Sequence, residues 1–156
     1  MLLPLFERLE ATTIGTVIRE SIWLFPVIEA VHLLALALIG GAVLLVDLRL
    51  LGQGLRRVPV AQVAAQAQPW FLGSLAVIVV SGILLFLSEA TKCYANPAFW
   101  TKVAFLAAAV VFASTLRHPR ALAALPEGSA RPRVLGVVSL VLWSGVGLAG
   151  RFIGFY

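Results

Sequence analysis

Apolar residues run along this chain in four long blocks, and the polar residues gather between them. A helix crossing a hydrocarbon core needs about 20 apolar residues at a rise of about 1.5 Å each. The blocks cover residues 22–46, 69–87, 98–116 and 134–153 and meet that length. Local punctuation supports the division. Pro26 falls in the first turns of the first block, where a missing N–H does least harm. Gly52 and Gly54 break the helix after it, Pro69-Trp70 opens the second block, and Asn96-Pro97 opens the third. The pattern therefore predicts an all-α fold: one integral membrane domain over residues 1–156, built as a four-helix transmembrane bundle. Ahead of it, residues 1–20 read as a short interfacial helix followed by a second short turn, IGTVIRES. Leu2, Leu5, Phe6 and Leu9 share one face, Glu7, Arg8 and Glu10 occupy the other, and Thr12 and Thr13 suit a helix cap.

Composition sharpens this picture. Hydrophobic residues make up 61% of the chain and charged residues 12%, about half the usual share of roughly 25% in soluble domains. The net charge of +5 does not point to nucleic acid, because the basic residues sit between the apolar blocks. Arg49, Arg56 and Arg57 follow the first block, together with Asp47, and all four read as surface charges. Arg117, Arg120, Arg131 and Arg133 follow the third. With alternating spans both loops lie on one side, the cytoplasmic side by the positive-inside rule. Both termini and the loop carrying Cys93 then lie outside. Trp23, Tyr94, Phe99, Trp100, Phe152 and Tyr156 gather near that outer face as an aromatic belt. The opening MLLPLFERLE carries Glu7 and Glu10 and no basic region before its apolar stretch, which argues against a cleaved signal peptide. Cys93 is the only cysteine, so there is no CxxC motif.

Ionisable side chains inside a span are costly and need a partner or a task. Glu29 and His32 lie three residues apart in the first span, and Leu36, Gly40 and Asp47 continue that face. Gly40-Gly41 would admit another helix or a flat ligand. His32 lies on the order of 13 Å below the outer start of its span. On the same side, Glu89 ends the second span, Lys102 lies about one turn into the third and Arg151 about one turn from the end of the fourth. Mutual neutralisation, Glu29 with Lys102 and Glu89 with Arg151, is one reading of the cluster. A cofactor or ion site built on it is the other. Glu-x-x-His is half of a carboxylate-bridged di-iron pattern, but one copy is present. His118 sits in the basic loop at the opposite face, so the two histidines cannot share a metal within one chain. His32 could instead supply the axial nitrogen of a haem, with Lys102 reaching toward it and Arg151 meeting a propionate. Gly145-Val-Gly147-Leu-Ala-Gly150 matches GxGxxG, but inside a span it reads as helix packing. So does the stripe of Gly136, Ser139, Trp143, Gly147, Gly150 and Gly154. Ser74, Ser81 and Ser88 repeat every seven residues on the second span, again as packing or, less favoured, as a polar pathway.

The segments HLLALALIGGAVLLVDLRLLG, SGILLF and NPAFWTKVAFLAAAV resemble small, uncharacterised bacterial four-helix membrane proteins. More distantly they resemble copper-resistance-D-type proteins and the small membrane protoporphyrinogen oxidases. The resemblance covers about residues 29–110 and rests on His32, Gly40-Gly41, Gly82-Ile83 and Lys102. In the oxidases the corresponding His and Lys are associated with haem b, which implies haem b here and a bacterial inner membrane location. The expected site is Glu29, His32 and Lys102, with Gly40, Gly41 and Arg151 around it. The leading expectation is haem-b binding in membrane redox chemistry, with a quinone or a porphyrin as partner and a homo-oligomer as an option. The alternatives are a proton or metal-ion conduit using Glu29 and His32, and a structural or accessory subunit whose polar cluster fixes helix register.

Overall fold

The computed structural model describes residues 3–55, 57–125 and 130–155, so Leu2, Arg56 and Tyr156 of the sequence argument lie outside the described residues. Among the described residues eight α-helices follow one another: α1 (Leu3–Glu10), α2 (Thr13–Glu20), α3 (Leu24–Leu50), α4 (Val60–Ser88), α5 (Ala90–Ala95), α6 (Pro97–Thr115), α7 (Pro119–Ala123) and α8 (Arg131–Phe152), followed by a 3₁₀ turn at Ile153–Phe155. No strand occurs among the described residues. Four helices, α3, α4, α6 and α8, are long and apolar enough to cross a membrane. The chain is an all-α, multi-pass membrane protein.

The spans start and stop where local chemistry allows. Asn96 caps α6 by accepting the Ala98 N–H, with Pro97 at the first helical position. Gly52, at φ +74°, ends the turn after α3 in a conformation that glycine takes without penalty. Pro69 departs from the expected pattern. It does not open the second span but lies inside α4, which begins nine residues earlier at Val60. A proline interior to a helix is unfavourable by itself. The preceding turns stay helical because Val63, Ala64 and Ala67 are buried against Val46 and Leu50 of α3 and Leu122 of α7.

α3 packs along α4 and α6 along α8, and α3 joins the two pairs by lying against α8. α4 and α6, by contrast, hardly touch, so the bundle is open along one edge. The buried stripe of α3 is His32, Ala35, Ile39, Val43, Val46, Asp47 and Leu50, a three- and four-residue rhythm that keeps one face inward. Its outward residues, among them Leu33, Leu34, Leu38, Leu44 and Leu45, are exposed and suit lipid. The small-residue stripe of α8 does pack. A side chain at Gly136 of the stripe would meet Leu50, Leu51 and the Asp47 carbonyl, and one at Gly145, of the GxGxxG match, would run into the Phe105 ring. Gly147 of the same stripe meets nothing.

α1, α2, α5 and the 3₁₀ turn at Ile153–Phe155 share one end of the bundle, the Cys93 end. Thr12 caps α2, accepting the Gly15 N–H. Phe6 is buried among Phe86, Tyr94 and Trp100. Glu10 accepts from the Thr91 N–H and hydroxyl and pairs with Arg19. These bonds hold its carboxyl below the usual range. Gly15 lies hard against the Leu87 carbonyl, where no side chain fits.

Candidate functional site

His32 and Glu29 separate in the structure. His32 is buried, while Glu29 is exposed and has no hydrogen bond to it. The helix geometry explains the split. Three residues along an α-helix fall roughly 60° short of a full turn, so Glu29 and His32 sit on neighbouring azimuths, and it is His32 that meets α4 at Ser81 and Gly82. Gly40 and Gly41 are also exposed, with open space where a side chain would stand, so no helix of this chain approaches them. The expected interior face of Glu29, His32 and Gly40-Gly41 is therefore corrected: His32 alone turns inward. The expected ion pairs also form differently. Glu89 pairs with Lys92, three residues along, and Arg151 lays its guanidinium over the Phe155 ring at 4.7 Å.

What surrounds His32 is a different set. Its Nδ1 lies 2.8 Å from Ser81 Oγ of α4. Ser81 has one hydroxyl proton and donates it to the Val77 carbonyl at 2.6 Å. Its oxygen must then accept, so His32 Nδ1 carries the ring proton and Nε2 keeps its lone pair. Gly82 lies beside the ring: a β-carbon there would stand 3.3 Å from His32 Cε1. Lys102 of α6 completes the zone. Its charge acts on His32 through space, and its side chain rests on Gly150 of α8, where a β-carbon would lie 3.5–3.6 Å from the lysine's outer atoms. No carboxylate pairs with Lys102 among the described ion pairs. Four spans thus contribute to one zone, through His32, Ser81 with Gly82, Lys102 and Gly150. Ser81 belongs to the seven-residue serine rhythm, all three of whose members are buried. An apolar groove of about 360 Å³ adjoins Ser81 along α3 and α4, between Val31, Val77 and Val80.

Cys93 is half-buried at the same end. Burial and the neighbouring Glu89 carboxylate push its thiol up to about 11.

The opposite end carries an arrangement that loop chemistry alone did not reveal. Asp47 and Arg117, both expected at the surface, are buried and joined Nε to Oδ1 at 3.0 Å. Arg117 also donates Nη2 to the Val43 carbonyl at 2.7 Å. Ser139 of α8 lies beside the carboxylate, although its Oγ and Asp47 Oδ2 make no well-formed hydrogen bond. The sequence signal was that Asp47 falls one turn after Val43 on the inward stripe. His118 caps α7, its Nδ1 accepting the Arg120 N–H, and its Nε2 lies 3.4 Å from Gln68 Nε2 of α4.

Residues 5–156 match the family described as "Family of unknown function (DUF6644)", and the chain belongs to that family. Neither a curated protein nor a solved structure matches it.

Proposed function

We propose that the chain binds haem b at His32 and serves membrane redox chemistry. The observation that carries this reading is the orientation of the imidazole. His32 Nδ1–H donates to Ser81 Oγ and leaves the Nε2 lone pair unshared, the arrangement by which a second group fixes the tautomer of a metal-ligating histidine. No three His, Cys, Asp or Glu side chains gather for a bare metal ion among the described residues. A porphyrin brings its own equatorial nitrogens, so one imidazole is enough to hold its iron. Gly82, where a β-carbon would stand 3.3 Å from Cε1, lets the imidazole lie close against α4, and Lys102, whose outer atoms rest on Gly150, would be the cation available to a propionate. Bound haem would supply one-electron exchange. The chain's residues would anchor it, orient it and keep water away. A proton or metal-ion path through Glu29 and His32 has less support, because Glu29 is exposed on another face of α3.

The test is the visible spectrum of detergent-purified protein expressed with haem precursor. A Soret band near one haem per chain is expected. His32→Ala should abolish it and His118→Ala should leave it. Ser81→Ala should weaken haem retention by about 10–100-fold, as loss of an orienting partner does. Full haem content in the His32 variant, or no Soret band in the parent protein after haem addition, overturns the reading.

A further inference from the structure

The open edge between α4 and α6 is not an empty seam. A groove of about 200 Å³ occupies its inner half. An apolar cavity of about 150 Å³ is enough to hold a benzene-sized ring. The floor is Ala42 and Val46 of α3, and the walls are Ala67, Phe71 and Leu75 of α4 and Ala113 of α6. Small alanines leave flat space, and because α4 and α6 hardly touch, the groove opens sideways toward lipid. At its polar end stand Gln68, Arg117 and His118.

The chemistry of that end is specific. A neutral imidazole has one proton and cannot accept at both nitrogens. The Arg120 N–H is a helix N-terminal donor fixed by the backbone of α7, so His118 Nδ1 accepts and Nε2 carries the proton. The Gln68 amide nitrogen facing it at 3.4 Å is also a donor. Two N–H groups side by side cannot satisfy each other, but one acceptor oxygen can satisfy both. Turning the Gln68 amide over would close the pair through Oε1 and leave its NH₂ group facing the groove instead. In either case the polar end offers an N–H to a ligand oxygen. The ligand need not be anionic. Arg117, the cation lining the groove, is engaged by Asp47 and the Val43 carbonyl.

We infer that this groove binds a membrane quinone, with one ring carbonyl accepting from His118 and Gln68, the ring between the alanines and the tail leaving toward lipid between α4 and α6. The inference does not rest on haem at His32, which lies on α3 some 20 Å away from the level of Val46 by helix rise.

The full chain, purified in detergent without added haem, is titrated with decyl-ubiquinone while tryptophan fluorescence is followed. Trp143 is a built-in reporter, since its ring packs edge-on against Phe71 of the groove wall at 5.7 Å. Saturable quenching is expected. His118→Leu and Gln68→Leu should each weaken binding about tenfold, the loss of one hydrogen bond. Ala113→Leu should fill the groove and remove saturation at an unchanged melting temperature. Decylbenzene, which has the apolar body without an oxygen, should not compete. Quenching that never saturates, equal affinity in both polar variants, or equal competition by decylbenzene overturns the site. So does a phospholipid that co-purifies with the parent protein, is lost from the Ala113 variant and is not displaced by the quinone, since the groove would then be a lipid site. A failed Soret test leaves this titration untouched.

Discussion

Breaking the Asp47–Arg117 pair one partner at a time should be far more damaging than removing both. The pair is almost wholly buried, at 0% and 6% side-chain exposure. Loss of one partner of a buried ion pair typically costs about 3–5 kcal/mol, because a charge is left without compensation. Replacing both with apolar residues of similar volume is often near neutral, since their desolvation is recovered as well. The two single variants should differ. In Asp47→Leu the stranded Arg117 has a long, flexible side chain close to the end of α6 and can carry its charge toward the surface, so the cost belongs near 3 kcal/mol. In Arg117→Met the stranded Asp47 is short and fixed on α3, and the Val43 carbonyl loses its donor as well, so the cost belongs near 5 kcal/mol. The assay is unfolding in mixed micelles with increasing SDS, followed by far-ultraviolet circular dichroism. The double variant Asp47→Leu/Arg117→Met should lie within about 1–2 kcal/mol of the parent, a coupling of several kcal/mol in a double-mutant cycle. Single losses below about 1 kcal/mol that simply add would refute the reasoning and return the two residues to the surface role that the loop sequence suggests.

Two further outcomes follow from the Cys93 end. Gly15→Ala places a β-carbon against the Leu87 carbonyl and 2.9 Å from the Glu10 carbonyl. α2 must lift from α4 at a cost of about 1–3 kcal/mol, as overpacking does; trypsin cleavage after Arg19 should quicken, and an unchanged digestion rate would count against the docking. Cys93, with its thiol pushed up to about 11, should alkylate slowly at neutral pH, because the thiolate is the reacting form. The rate should climb about tenfold per pH unit up to that value, whereas a plateau near pH 8.5 would show an ordinary exposed thiol. If the termini lie outside, as the arginine loops suggest, a membrane-impermeant maleimide should label Cys93 in intact cells slowly, and faster as the external pH is raised, but should not label a cysteine placed at Gln53.

The spans were legible because bilayer crossing is written in length and hydropathy, and all four were found to within a few residues except at the start of α4. There Pro69 outweighed the pattern on the page, while in the structure the burial of Val63, Ala64 and Ala67 outweighs the proline. The site was legible in part. Depth places Lys102 on the same side as His32, but it places Glu89 and Arg151 there too, and those two engage Lys92 and the Phe155 ring instead. Glu29 was misplaced because a three-residue spacing puts two side chains on neighbouring rather than identical azimuths, and only the packing partner decides which one turns inward. Ser81 is the partner that decides, and a serine in an apolar span has no sequence feature that separates a hydrogen-bonding role from a packing one. Asp47 and Arg117 looked like loop charges because they stand near the ends of their helices. At that end α7 and the first turns of α4 pack on Val46 and Leu50, the neighbours of Asp47 on the inward stripe, and neither element was expected.

α3 carries a polar anchor on each half of its inward stripe: His32 ties it to α4 through Ser81, and Asp47 ties it to the end of α6 through Arg117. α6 has few buried residues of its own, Ala109 and Ala113. It lies along α8, and its two ends are fastened by Asn96, which donates to the Ile153 carbonyl, and by Arg117. Between those fastenings α6 meets α4 hardly at all. A helix fixed at its ends and along one side, but free on the other, sets the width of the groove facing α4. His118 follows Arg117 in sequence, so the clasp that holds Arg117 also places the donor at the polar end. Asp47→Leu should therefore reduce quinone quenching as well as stability, although Asp47 does not line the groove. The double variant should recover the stability without fully recovering the binding, because it removes the unpaired charge but does not restore the fastening that positions His118.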